Sequence, residues 1–115
     1  MRITNLTKKK MICSEAVVAN TFRQRALGLM FRKEWKEVDG FLLSPCNAIH
    51  TFWMRMDIDV CFLDREKRVV KTVSRLKPWR MVNGGKGCRD TLELPAGKLE
   101  LVGTEPGDKL AIEGP

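Results

Sequence analysis

The chain has 115 residues, of which 43% are hydrophobic and 30% charged, and it carries a formal net charge of +7 at pH 7. These values are typical of one compact domain spanning residues 1–115, and they exclude a disordered or low-complexity chain. No apolar run approaches the roughly 18 residues of a membrane span, and no signal-type segment follows the basic start. We therefore expect a cytoplasmic protein that does not insert into a membrane.

The first elements predicted are two strands, at residues 2–6 and 11–18, joined by a turn at the lysines 8–10. One helix is predicted from Thr21, because Thr21 and Gln24 have capping-box spacing. Apolar residues then recur on one helical face at positions 22, 26, 29 and 30. After Gly40, residues 41–43 read as a short buried strand.

The second half of the chain is dominated by strand and turn signals. Residues 60–63 and 69–73 flank a polar turn and predict a hairpin. Glycines make residues 78–87 a predicted mobile loop, and residues 91–94 alternate as a strand. Leucines 99 and 101 and apolar residues 110 and 112 alternate on either side of a predicted type II turn at 105–108, so the chain is expected to end in an edge strand.

Seven or eight short strands and one short helix predict a mainly β fold. The arrangement expected is a compact antiparallel β-sandwich or small barrel, since helical crossovers of the kind that join parallel strands are missing. The four cysteines, at positions 13, 46, 61 and 88, include no C-x-x-C pair and are predicted to be free thiols.

Residues 46–64 hold the only histidine, one of three tryptophans, two cysteines and three aspartates. Cys46 and His50 have the residue types of a metal site, but a zinc site needs at least three protein ligands, so no metal is predicted. A thiol enzyme that uses these two residues is an alternative. It requires a tight bend between them, since a full strand would place them about 13 Å apart.

Basic residues are concentrated between positions 65 and 89, where nine lysines and arginines accompany one acid, Glu66. Such a region can be a solvated strand face and loop, or it can attract polyanions. Trp79 lies among the cations and could stack a base while they neutralise phosphates. The candidate polyanion-binding residues are Arg75, Lys77, Trp79, Arg80, Lys86 and Arg89.

Six ordered blocks resemble the motifs of the domain of unknown function 192 (DUF192). They are RALGLMFR (25–32), GFLLSPC (40–46), IHTFWM (49–54), IDVCFLD (58–64), LKPWR (76–80) and ELPAG (93–97), and the resemblance runs from about residue 11 to 112. It implies a mainly antiparallel β-sandwich with a short helix, and it supplies neither a cofactor nor a settled activity. By position, the family-motif residues are Arg25, Gly28, Met30, Cys46, His50, Met54, Asp59, Glu93 and Gly97.

The leading hypothesis is a non-enzymatic binding or accessory module that recognises a small ligand or a protein segment. Its candidate ligand-binding residues are Arg25, His50, Trp53, Met54 and Asp59. Arg25 and Asp59 are predicted to form an ion pair, which His50 could join. Similar sequences often have proline at position 57, so Asp59 is preferred to Asp57 for a shared role. We expect a monomer without a cofactor; the alternatives are the thiol enzyme and binding of RNA or DNA.

Overall fold

The computed structural model describes residues 1–19, 35 and 37–114, which form ten strands and one short helix. The mainly β fold is therefore confirmed. The helix predicted from Thr21 lies outside the described residues. Within the described part of the chain, no helix has the length and apolar character of a membrane span. The elements are β1 (Arg2–Asn5), β2 (Lys10–Cys13), β3 (Ala16–Ala19), β4 (Gly40–Leu43), β5 (Ala48–His50), β6 (Ile58–Leu63), β7 (Val69–Leu76), β8 (Met81–Asn83), β9 (Asp90–Pro95), α1 (Lys98–Val102) and β10 (Leu110–Glu113).

The main sheet has five strands in the order β3-β4-β9-β6-β7. Among the described residues this sheet is open, with β3 and β7 as its edges, so the sandwich and not the small barrel describes the fold. The predicted hairpin is β6–β7, and the predicted strand at 91–94 is β9, which pairs with both β4 and β6. One pair departs from the antiparallel prediction, since β3 and β4 run parallel.

The prediction of a single strand over residues 11–18 is wrong, because the chain bends at Ser14 and Glu15 between β2 and β3. The chain leaves the β10-β1-β2 sheet after β2 and enters the five-stranded sheet as β3. The Asp39 carboxylate fixes the bend, because it accepts hydrogen bonds from the backbone nitrogens of Ser14 (2.8 Å) and Glu15 (2.9 Å). A residue just before β4 therefore determines where β3 begins.

The five-stranded sheet is packed on both faces, and this explains why β6 and β9 are buried along nearly their whole length. One face carries Leu42, Cys61 and Leu92 and packs with the three-stranded sheet and α1. The other face carries Phe41, Val60 and Phe62 in a second cluster. The second cluster is the one that supports the candidate site.

Strands β5 and β8 form a separate two-stranded ribbon over the second cluster. Ile49 and Val82 pair across the ribbon and pack against the cluster. The opposite side of the ribbon is exposed, and it carries Ala48, His50, Met81 and Asn83. Part of the predicted loop at residues 78–87 is thus a strand, because β5 supplies the pairing partner that the local sequence does not reveal.

The strand alternation predicted at Leu99 and Leu101 is wrong, because both residues belong to helix α1. Leu99 is buried and Leu101 is 74% exposed, whereas a strand would place both on one face. The chain turns at Gly97, where φ is 94°, and the Asp59 carboxylate accepts the backbone N–H groups of Gly97 and Leu99. The type II turn is confirmed by Gly107, whose φ is 98°, and β10 is an edge strand as predicted.

Candidate ligand-binding surface

Four rings, one at the end of β5 and three from two loops, lie together beside the β5–β8 ribbon. The ring centroids of His50 and Phe52 are 4.8 Å apart, and those of Phe52 and Trp79 are 5.8 Å apart. Trp53 meets Trp79 edge to face, with centroids separated by 4.7 Å. Met81 stands opposite His50 in the ribbon register. We call these five residues, His50, Phe52, Trp53, Trp79 and Met81, the aromatic surface.

Three of the five side chains of this surface are large, apolar and open to solvent. Trp53 is 51% exposed, Trp79 is 53% exposed and Met81 is 76% exposed. Both tryptophans have left-handed backbone conformations, with φ of 69° at Trp53 and 66° at Trp79. A bulky side chain in this region costs on the order of 1–3 kcal/mol, so the surrounding structure must impose the conformation.

Thr51 joins the two loops that carry the rings. Its hydroxyl donates to the Lys77 carbonyl (2.6 Å) and accepts from the Arg80 nitrogen (2.9 Å). Its backbone nitrogen donates to the Arg80 carbonyl (2.8 Å), and its carbonyl accepts from the Trp79 nitrogen (3.0 Å). Because Thr51 is completely buried, these bonds are shielded from water, and they hold Trp79 beside Trp53.

Two of the predicted polyanion-binding cations belong to the same loops. Lys77 lies 3.4 Å from the Asp57 carboxylate, and Arg80 donates through Nη1 to the Pro78 carbonyl at 3.3 Å. Both side chains are exposed. The fold thus brings members of both sequence-derived candidate sites, Trp53 and Arg80 among them, to one surface.

The other predicted cations lie outside the two loops that carry Trp53 and Trp79. The Arg75 guanidinium is over Gly97, where an added Cβ would lie 3.2 Å from Nη2. Lys86 and Arg89 are exposed in the segment that follows β8. Lys71 donates through Nζ to the Asn83 carbonyl at 2.9 Å. It therefore stands at the end of β8 that leads to Lys86 and Arg89. Cations therefore flank the ribbon beyond the aromatic surface.

Asp59 and Met54 are buried and contribute to the fold. Asp59 is completely buried, and its oxygens accept backbone N–H groups from Arg75 (2.9 Å), Gly97 (3.0 Å) and Leu99 (2.9 Å). Met54 packs within the second hydrophobic cluster. Arg25, Gly28 and Met30 lie outside the described residues, so the ion pair between Arg25 and Asp59 stays a prediction.

Cys46 and His50 each bond to nearby backbone. The Cys46 thiol donates to the Ala48 carbonyl at 3.1 Å, and His50 Nδ1 accepts from the Phe52 nitrogen at 3.2 Å. Both groups are thereby engaged within two residues of their own positions. Among the described residues, no group of three or more His, Cys, Asp or Glu side chains has a geometry that could hold a metal ion.

Glu93 is the most unusual ionisable group beneath the surface. It is 7% exposed and stands between Phe41 and Val60 in the sheet register, on the face of the second cluster. Burial raises the pKa of this carboxyl to about 7.

The indole nitrogen of Trp35 is also buried, without a hydrogen-bond partner in the described structure, and its ring lies 5.9 Å from that of Phe41.

The model of the DUF192 family, described as "Uncharacterized ACR, COG1430", matches residues 3–112. The chain belongs to the DUF192 family. Among its relatives is a UPF0127 protein of Pyrococcus furiosus, 41% identical over 92% of this chain and 93% of the relative. Another is a UPF0127 protein of Pyrococcus horikoshii, also 41% identical, over 94% of this chain and 96% of the relative.

The fold of this DUF192 protein is also similar to a crystal structure of a protein of unknown function from Novosphingobium aromaticivorans. The TM-score is 0.81 at 21% identity, and the similarity covers 96% of this chain and 82% of the other. At this identity the similarity concerns the fold alone.

Sequence reasoning did not place Thr51 and Met81 in the site of this DUF192 protein. A buried threonine that bridges two loops has no local signature, because its partners lie more than 25 positions further along the chain. Met81 was hidden inside the predicted loop. Its pairing with His50 depends on the register of the ribbon, which only the three-dimensional structure reveals.

Proposed function

We propose that this protein is a non-enzymatic binding domain and that the aromatic surface is where its ligand binds. The observation that carries the proposal is the pair Trp53 and Trp79. Both indoles are about half exposed, they contact each other, and both are kept in a strained backbone conformation. Neighbouring large apolar groups that protrude into water are characteristic of interaction sites.

The strain at the two tryptophans supports a functional reading. Glycine would relieve it at either position, and so would a loop of different geometry. Instead, the buried Thr51 fixes both loops, so the rings are presented in one arrangement before any ligand arrives. Such preorganisation reduces the entropy that binding would otherwise cost.

A binding role also agrees with the hydrogen bonds of Cys46 and His50, the two residues that a thiol enzyme would use. The Cys46 thiol donates to the Ala48 carbonyl at 3.1 Å, so it already has a hydrogen-bond partner within its own loop. His50 Nδ1 is occupied by the Phe52 amide, and His50 contributes its ring to the aromatic surface. Ring stacking and apolar contact are what this set of side chains offers a ligand.

Nitrogen-15 NMR of the tryptophan indoles tests the proposal. A library of metabolites and short peptides is added to the labelled protein, and the indole signals of Trp53 and Trp79 are followed. At least one compound or peptide should shift both signals and leave that of Trp35, whose indole nitrogen is buried, in place. The proposal fails if no member of the library shifts the two exposed indoles, or if every shift extends equally to Trp35.

A further inference from the structure

We propose that the ligand of the aromatic surface is single-stranded nucleic acid, with bases stacked on Trp53 and Trp79 and phosphates held by neighbouring cations. This inference rests on the proposed function and names its ligand class. It depends on two features that lie apart in the sequence and together in the fold, a stack of exposed rings and an excess of positive charge.

The rings are arranged so that a stack can be extended. The planes of His50 and Phe52 differ by 31°, and those of Phe52 and Trp79 by 26°, so three rings follow one another at similar tilts. Trp53 abuts Trp79 at 64° and adds a second face. Because every base has a flat π face, such rings bind single strands with little regard to sequence.

Positive charge surrounds the rings. Three cations, Arg55, Lys77 and Arg80, are exposed on the segments that carry or flank them, and the Asp57 carboxylate there is partly exposed. Lys77 faces that carboxylate at 3.4 Å, and Arg80 uses Nη1 for the Pro78 carbonyl, so the remaining guanidinium N–H groups of Arg80 are the donors offered to a phosphate. The surface is therefore complementary to a polyanion that also presents planar groups.

The ribbon extends this complementarity away from the rings. Its outward face, which carries Ala48, His50, Met81 and Asn83, has no carboxylate and ends beside further cations. Lys71 reaches the Asn83 carbonyl, and Lys86 follows three residues after Asn83. Met81 and Asn83 are about 7 Å apart along the strand, so a short strand of a few nucleotides would pass from rings to cations.

A single strand fits this surface better than a duplex does. In a duplex the base faces are covered by their neighbours, so the indoles of Trp53 and Trp79 would find no partner for stacking. An acidic peptide could meet the cations, but carboxylates would leave the rings in water. Bases and phosphates in alternation satisfy both features at once.

Fluorescence anisotropy with a labelled oligothymidine at low salt tests the inference. The unmodified protein should bind, and Trp79→Ala should bind roughly 5- to 150-fold more weakly, which corresponds to the loss of one stacked base. Trp79→Phe keeps a ring and should retain most of the affinity. Arg80→Gln should reduce the salt dependence by about one phosphate contact, whereas the matched variant Arg2→Gln, at an exposed position of β1, should not.

Other outcomes overturn the inference. A duplex or polyglutamate that binds as tightly as oligothymidine would show a basic surface without stacking. Oligothymidine that fails to bind at low salt, while a library compound shifts the Trp53 and Trp79 indoles, would remove nucleic acid and leave the binding function standing. If Trp79→Ala unfolds, the indole shifts of the unmodified protein decide, because bound oligothymidine must move Trp53 and Trp79 and spare Trp35.

Discussion

The side-chain oxygen of Thr51 lies 2.9 Å from the backbone nitrogen of Arg80, although the two residues are 29 positions apart. The same oxygen donates its proton to the Lys77 carbonyl. One buried hydroxyl thus satisfies a donor and an acceptor of the loop that carries Trp79. The arrangement of the aromatic surface depends on this contact.

Replacing Thr51 by valine should lower the free energy of unfolding by about 1–3 kcal/mol. Valine has nearly the shape of threonine, but it has no hydroxyl to bond to the Arg80 N–H and the Lys77 carbonyl. Urea unfolding measures the loss, and tryptophan fluorescence reports the rearranged rings. Thr72→Val, at a half-buried position on β7, is the matched control and should change stability by less than about 0.5 kcal/mol. Equal losses in both variants would contradict the bridging role of Thr51.

The backbone conformation of Trp79 predicts that glycine at this position is less destabilising than alanine. Trp79→Gly and Trp79→Ala remove the same ring, but only glycine adopts a φ of 66° without strain. The glycine variant should therefore be more stable than the alanine variant by about 1 kcal/mol. Thermal unfolding of the two proteins compares them, and an alanine variant as stable as the glycine variant would show that the loop is not strained.

Asp59→Asn should destabilise the fold by about 3 kcal/mol. The amide cannot accept all three backbone N–H groups that the carboxylate now accepts, from Arg75, Gly97 and Leu99. Asp57→Asn is the control, since its pair with Lys77 is exposed and should contribute at most about 1 kcal/mol. Urea midpoints that fall equally for the two variants would argue against the role assigned to Asp59.

Glu93 should make stability fall as the pH rises from about 4.5 to 7. Burial raises the pKa of its carboxyl from 4.5 to about 7, so in this range the folded protein binds a proton that the unfolded chain has released. The loss is on the order of 3 kcal/mol and is complete above pH 7. Glu93→Gln should remove this dependence, whereas Glu100→Gln, exposed on α1, should keep it; identical pH profiles for all three proteins would contradict the assignment.

The four thiols should differ in reactivity. Burial raises the pKa of Cys13 and of Cys61 to about 12, so neither should react with Ellman's reagent in the folded protein. Cys46 should react first and Cys88 more slowly, because burial also raises the pKa of the Cys88 thiol. Cys46→Ser should abolish the fastest phase. A Cys46 thiol that reacts much faster than a free cysteine would favour the enzyme alternative over a binding domain.

The sequence predicted well those features that depend on neighbours along the chain. The apolar run of β6, the alternation of β9, the hairpin between β6 and β7, and the turn at Gly107 all have local signals, and all are present. The same reasoning failed at Leu99, where alternation suggested a strand. A helix forms there because the Asp59 carboxylate, 40 positions earlier, accepts the Leu99 N–H.

The candidate site divides in the same way. Residue types alone drew attention to His50 and Trp53 in one segment and to Trp79 and Arg80 in another, because unusual chemistry is visible in composition. That these segments form one surface was decided by the pairing of His50 with Met81 and by the buried hydroxyl of Thr51. Periodicity and propensity act over a few residues, whereas the partner of a buried hydrogen-bonding group is chosen by the whole fold.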